Sequence, residues 1–432
     1  MYLSRDQRNI LRESSFYAIY SSLTLSLIVP FALALGASNV FIGFLTAAQF
    51  LAIMLAQIPG ERAVERVGKR VVFFATTTLA RLLWMVILLV PIYFGGSLGV
   101  LLVFFFVINF LEYFAEPGYL TMIAEVVNRK TRAWFFATKN SVKVLFNTGC
   151  FFIAGYYLDL YPRDSTLGFS NLMLMGVIFA IIASYFMAGV TTKTEPRRRI
   201  HRIRDYFHLR PGFVRFMMFV VVFNFAVQLA SPFITVYQLD HLALSYRFYA
   251  GLIVIAMVTR VLSQLHLAKI CARYGEKPVA YISVALTALI PLVFLASDGR
   301  PWMLVAAHML VGFAFAGADL TVINMLFHFT SDKDRSFYMS AYVVMAAAPL
   351  VVAPLLGGWI ADNVAWVLGG IPLVFILSAV LRLFSASMLW RIPGKPKAPM
   401  GTVFLKMAEF HPEKGVHKAA RLVRKEVKRF KW

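Results

Sequence analysis

Four polar side chains recur at helical spacing inside one long apolar run. Asn109, Glu112, Tyr113 and Glu116 fall at i, i+3, i+4 and i+7 and make a single stripe on a helix. A carboxylate near mid-bilayer costs about 2.5–3.5 kcal/mol on insertion scales, so a stripe with two of them is expected to face protein or a water-filled cavity. There a carboxylate can pair with a base, hold a cation or exchange a proton. A second apolar run carries Asp319 in the same setting: Ala115-Glu116 precedes Arg132 by 16 residues, and Ala318-Asp319 precedes Arg335 by 16. Glu116 and Asp319 are read as matched gating or coupling groups at similar depth, with Glu112 one turn from Glu116.

Bases occur in comparable places. Arg81 lies roughly 16 Å along a helix from Arg70, too deep to reach an interface, and its nearest partners by connectivity are Glu112 and Glu116. An Arg–Glu pair that merely registers two helices is the structural alternative to a transport role. Lys139 is close enough to a helix end for its ammonium to reach the surface. Lys143 and Arg260 are deeper and join Glu112, Glu116, Asp319 and Arg81 as candidates for contact with a solute or a proton. Asn224 and Gln228 complete that set, on a face shared with Ser231 and Thr235. The first apolar run presents Ser14, Tyr17, Ser21 and Thr24 in similar fashion, although small polar groups also hold membrane helices together without further function.

The elements that position these groups are membrane spans. Of 432 residues 60% are hydrophobic and 15% charged, with a mean hydropathy of +0.72, which excludes an ordinary water-soluble domain. Twelve apolar stretches are each long enough to cross a bilayer as a helix: 10–35, 39–60, 70–94, 98–124, 134–158, 168–191, 213–237, 247–270, 277–297, 301–328, 337–361 and 365–390. The first is too long for the core of a signal peptide and is kept as a span. The two cysteines are Cys150, in the fifth stretch, and Cys271, at the cytoplasmic end of the eighth, so no disulfide is expected.

The loops carry the charge. With the N-terminus in the cytoplasm, Arg62, Arg66, Lys69, Arg70, Arg129, Lys130, Arg132, the basic stretch 193–215, Lys269, Arg273, Lys277, Lys333 and Arg335 share one side, and the opposite side receives Arg163, Arg247 and Arg300. The net charge of +22 is then loop and tail chemistry in a plasma or inner membrane protein, with no nucleic-acid partner implied. The linker and the tail suit anionic headgroups, the tail as an amphipathic helix over 414–432.

Self-similarity divides the chain. Gly155-Tyr156-Tyr157-Leu158-Asp159 returns 203 positions later as Gly358-Trp359-Ile360-Ala361-Asp362, Pro30-Phe31 answers Pro232-Phe233, and Arg66-Val67-Gly68 returns after 207 as Arg273-Tyr274-Gly275. Gln57 and Gln264 match at that second offset. The expected fold is an all-α membrane protein of twelve transmembrane helices in two six-helix pseudo-repeats, residues 1–192 and 213–391, joined by a basic linker over 193–212 and followed by a basic tail over 392–432.

After the second span, Glu65-Arg66-Val67-Gly68-Lys69-Arg70 resembles the loop motif of the major facilitator superfamily: an acid, a base, any residue, a glycine and two bases. Ala272-Arg273-Tyr274-Gly275-Glu276-Lys277 echoes it after the eighth span, with Ala272 in place of the acid. The resemblance covers about residues 10–390. It implies a monomeric secondary transporter that works by alternating access without ATP or cofactor, with Glu65, Arg66, Gly68, Lys69, Arg70, Arg273 and Gly275 as a gating loop and spans 5 and 8 beside the cavity. Gly68 also has a physical role of its own, in a turn too tight for a side chain. No nucleotide loop, zinc spacing or serine nucleophile motif is present to support an enzyme. The expected activity is export of a small amphipathic organic solute in exchange for protons. Uptake of an organic anion is the alternative within transport, and a receptor or scaffold that kept the fold is the alternative outside it.

Overall fold

The computed structural model describes residues 3–127, 132–163, 165–191, 210–330, 335–364, 370–392 and 398–409. Arg129 and Lys130, the linker as far as residue 209 and the amphipathic stretch 414–432 lie outside them, as do the side chains of Arg132 and Arg335.

The described residues form fourteen α-helices in the order α1 (Arg5–Leu23), α2 (Ile28–Ala34), α3 (Asn39–Val67), α4 (Lys69–Tyr93), α5 (Leu98–Val126), α6 (Arg132–Leu158), α7 (Leu167–Ala188), α8 (Pro211–Val236), α9 (Tyr246–Tyr274), α10 (Glu276–Ser297), α11 (Pro301–His328), α12 (Arg335–Asn363), α13 (Ile371–Met388) and α14 (Met400–Ala408). Eleven spans among them, α1 and α2 counting as one, are long and apolar enough to cross a membrane. Helix α6 is as long, at 27 residues, but Arg132, Lys139 and Lys143 interrupt its apolar character. It supplies the twelfth span of the all-α architecture read from the sequence.

Each boundary has a local cause. Helix α1 opens with a capping box in which the Ser4 hydroxyl accepts from the Gln7 amide and the Gln7 side chain accepts from Ser4. It stops at Thr24, where the backbone leaves helical geometry at φ −122°, and a short 3₁₀ turn over Leu25–Leu27 leads into α2. The first span is thus a broken helix, a feature that the sequence reading of one continuous span did not contain. Asn147 of α6 fastens the chain just before the break, donating to the Ala18 carbonyl at 3.3 Å and to the Ser21 hydroxyl at 3.1 Å. Single glycines make the α3–α4 and α9–α10 turns: Gly68 at φ +102° and Gly275 at φ +88°, a region that disfavours any Cβ.

Two compact units result. Residues 3–191 with 235–251 form one, in which α3 and α4 pack on α5, and α1 packs on α6 and α7. Residues 210–234 with 252–409 form the other, in which α10 packs on α11 and α13. With no hydrophobic driving force between helices in lipid, close backbone approach does much of the holding. Gly60 of α3 lies so near α5 that a Cβ would meet the Phe114 carbonyl oxygen at 2.4 Å, and Gly312 of α11 lies so near α9 that a Cβ would meet the Ala256 carbonyl oxygen at 2.3 Å. In the second unit Phe213, Phe216, Phe219 and Phe223 run along the buried face of α8. Helix α14, which the sequence reading did not foresee in the tail, buries Val403 and Met407 against Leu267, Ile270 and Val279. Aliphatic side chains such as Leu55, Val103, Ile153, Ile181 and Leu383 face outward, as they do in an integral membrane protein.

Candidate functional site

The polar stripe of α5 lines a cavity of about 240 Å³ inside the first unit. Asn109, Glu112, Tyr113 and Glu116 come from α5, Glu13 and Tyr17 from α1, Arg81 from α4, and Lys139 and Lys143 from α6. The ring of charge therefore holds three carboxylates and three cations on membrane-spanning helices.

Each carboxylate has a different partner. Glu112 lies 4.0 Å from Nε of Arg81 and accepts from the Tyr20 hydroxyl at 3.4 Å, while Tyr20 in turn accepts from the Trp84 indole at 2.6 Å. Glu116, one turn on, accepts from the Gln57 amide at 3.1 Å. Glu13 is 2% exposed and accepts from the hydroxyls of Tyr119 at 2.7 Å and Ser14 at 3.1 Å. The lysines rest on rings, Lys139 Nζ 4.8 Å from the centre of Tyr119 and Lys143 Nζ 5.3 Å from that of Tyr17. Asn109 turns away to donate to the Phe105 carbonyl of its own helix at 2.8 Å.

Arg81 stands apart. It is 3% exposed, yet its Nε and Nη1 have no hydrogen-bond partner among the described residues, and Glu112 is too far for a direct bond.

The other candidates belong to the second unit and do not line this cavity. Arg260 and Asp319 form an ion pair with both side chains about two-fifths exposed. Asn224 donates to the Ala346 carbonyl at 3.2 Å, and Gln228 is half-buried. Arg260 and Asp319 are 59 positions apart, as are Gln57 and Glu116, and the pairs are offset by 203. The bonding thus matches Gln57 with Arg260, whereas the sequence offset of 207 had matched it with Gln264, which is exposed.

The loop motif is used unevenly. Lys69 bonds Glu125, and Arg70 donates to the carbonyls of Ala188 at 2.6 Å and Val190 at 3.1 Å, where a cation suits the C-terminal end of α7. Lys277, 207 positions after Arg70, does the same at the end of α13, donating to the Ile392 carbonyl at 2.8 Å. Glu65 and Arg66 are exposed, and Arg273 lies over the ring of Tyr274.

Residues 214–427 match the family model described as Major Facilitator Superfamily. The chain belongs to the major facilitator superfamily. Similar solved structures share the fold: a mutant of the nucleoside transporter NupG has a TM-score of 0.72 at 14% identity, over 90% of this chain and 100% of that one. A bacterial metal transporter follows at 0.66 and 12%, over 91% and 100%. A bacterial homolog of the human lysosomal transporter Spinster, inward-facing and occupied, stands at 0.63 and 16%, over 93% and 97%. No curated protein sequence matches the chain. At these identities the solved structures speak for the major facilitator fold and not for a shared substrate.

Glu13, Tyr20 and Gln57 are the site residues that the sequence reading passed over or left without this role. A signal for the first two was present, since Glu13, Tyr17, Tyr20 and Thr24 fall at i, i+4, i+7 and i+11. Glu13 reads instead as an ordinary flanking charge because Arg12 precedes it and the apolar run follows.

Proposed function

We propose that this major facilitator chain is a proton-coupled secondary transporter of a small organic solute, working by alternating access in a plasma or inner membrane with both termini cytoplasmic. The observation that carries this reading is the cavity of the first unit, where three carboxylates and three cations converge on about 240 Å³. Buried charges of this kind cost stability, and apolar residues of similar volume would hold the helices at least as well. A receptor or scaffold has no use for them. The volume is below the roughly 300–1,000 Å³ of drug-sized pockets and suits a metabolite-sized solute.

Proton coupling is assigned to Glu116. Its hydrogen bond comes from a neutral amide, so gaining or losing a proton breaks no ion pair with that partner, whereas Asp319 at the matching position is tied to Arg260. The test uses protein reconstituted in proteoliposomes, with solute flux measured with and without an imposed proton gradient and thermal stability measured beside it. Glu116→Gln is expected to keep its stability and lose the response to the gradient. Asp319→Asn is expected to lose stability while still responding. A Glu116→Gln protein that is less stable but fully gradient-dependent would leave the carboxylate as a structural group.

A further inference from the structure

Two arginines are buried among the described residues, and they are held differently. Arg382 of α13 is 1% exposed, and its Nη atoms donate to the carbonyls of Thr287 at 2.8 Å and Val227 at 3.3 Å, which leaves only its Nε without a partner. Arg81 is as deeply buried and lines the cavity, but no oxygen of the described residues accepts from it. A guanidinium is always charged and offers five donors in a planar fork. Leaving it unmatched in a low-dielectric interior is expensive unless an acceptor arrives from elsewhere. Glu112, the nearest carboxylate, stays at 4.0 Å and divides its bonding with Tyr20.

We propose that the cavity binds the anionic group of its solute, a carboxylate or phosphate, on the Arg81 fork, and that the Glu112–Glu116 pair takes up one proton as the anion enters. This rests on the transport reading above and names the class of solute it carries. The arithmetic of charge supports it. Glu13, Glu112 and Glu116 balance Arg81, Lys139 and Lys143, so an entering monoanion adds one uncompensated negative charge, which a single proton cancels. The groups facing Glu112 from the packed helices are Glu13, Tyr17 and Tyr20 on α1 and Arg81 on α4, while Glu116 is faced by Lys139 of α6 and bonded by Gln57 of α3. Glu13 already has two hydroxyl donors, which leaves the two acids on consecutive turns of α5 as the proton's site. Tyr17, Tyr113 and Phe73 line the same cavity and would receive the apolar body of the solute.

The test uses purified full-length protein with four probes of one shape: benzoate, phenyl phosphate, neutral benzamide and cationic benzylamine. At least one of the two anions is expected to raise the unfolding temperature while benzamide and benzylamine do not, and the stronger anion tells carboxylate from phosphate. Calorimetry in buffers of different ionisation enthalpy should record the uptake of about one proton per benzoate, the monoanion of the set, abolished by Glu116→Gln. Loss of a charge-assisted bond predicts affinity weaker by about tenfold to a hundredfold in Arg81→Gln, with part of it retained in Arg81→Lys. Glu112→Gln, which removes the competitor, is expected to bind the anion several-fold more tightly. Stabilisation by benzylamine or benzamide alone, no effect of either anion, or anion affinity unchanged in Arg81→Gln would overturn the inference. If Arg81→Gln does not fold, unchanged affinity in both Arg81→Lys and Glu112→Gln overturns it equally. Proteoliposome flux separates this from the transport reading: anions that bind but do not cross defeat transport and spare the site, whereas movement of benzylamine or benzamide alone defeats the site and spares transport.

Discussion

Helices α3 and α5 of the first unit and α9 and α11 of the second meet in closely related ways, and the differences lie in charge. In both, a glycine lets one backbone touch the other, Gly60 against Phe114 and Gly312 against Ala256. In both, a polar side chain of the first helix reaches an acid 59 positions later. In the first unit the partner is the amide of Gln57, and in the second it is the guanidinium of Arg260. Two helix pairs keep a closely similar packing while one carboxylate meets a guanidinium and the other a neutral amide. The same division appears in the buried arginines, since Arg382 is matched by backbone carbonyls and Arg81 is left for an acceptor from outside.

The largest expected effect concerns packing. Gly60→Ala and Gly312→Ala each drive a methyl into a carbonyl oxygen that helical backbone cannot move aside, so each should cost about 1–3 kcal/mol in thermal or denaturant unfolding. Gly149→Ala has nothing within 4 Å of the new methyl and should be neutral or stabilising by up to about 1 kcal/mol. Equal losses at Gly60 and Gly312 sharpen the likeness of the two helix pairs, and a loss at one alone breaks it.

Exchanging the partners should move function more than stability. Gln57→Arg would give Glu116 the ion pair that Asp319 has, and the response of flux to a proton gradient should flatten. Arg260→Gln would give Asp319 an amide partner, and a second pH-dependent step in the flux should appear. If neither exchange alters the pH profile, the difference between the pairs has no part in coupling.

Smallest is the effect of the two caps. Arg70→Gln and Lys277→Gln each remove a cation from the end of a helix, at Ala188 and Ile392, where such charges contribute roughly 0.3–1 kcal/mol and less when exposed. The two variants should lose similar, salt-sensitive amounts of stability. A loss of flux without a loss of stability would return these residues to the gating role that the loop motif implies.

The apolar spans, the turns at Gly68 and Gly275 and the polar stripe of α5 are all legible in the sequence, because each depends on a signal held within a few turns of chain: run length, a backbone angle open to glycine, or spacing at 3.6 residues per turn. The first span shows where such signals stop. Its apolar run is continuous, and the break at Thr24 follows no proline at that position; it is held by bonds from Thr24 to Tyr20 and from Asn147, well over a hundred positions away, to Ala18 and Ser21. Glu13 reads as a flanking charge until α5 brings Tyr119 to it. Residue type and period determined that this chain buries acids and bases in the membrane, and the 203-residue repeat determined that Glu116 and Asp319 correspond. Which base meets which acid was decided by the rotation of neighbouring helices about their axes, and that rotation is set by contacts such as Gly60 on Phe114 between residues far apart in the chain. The amide on Glu116, the guanidinium on Asp319 and the Arg81 fork whose Nε and Nη1 find no hydrogen-bond partner among the described residues are consequences of packing that the linear order of residues does not contain.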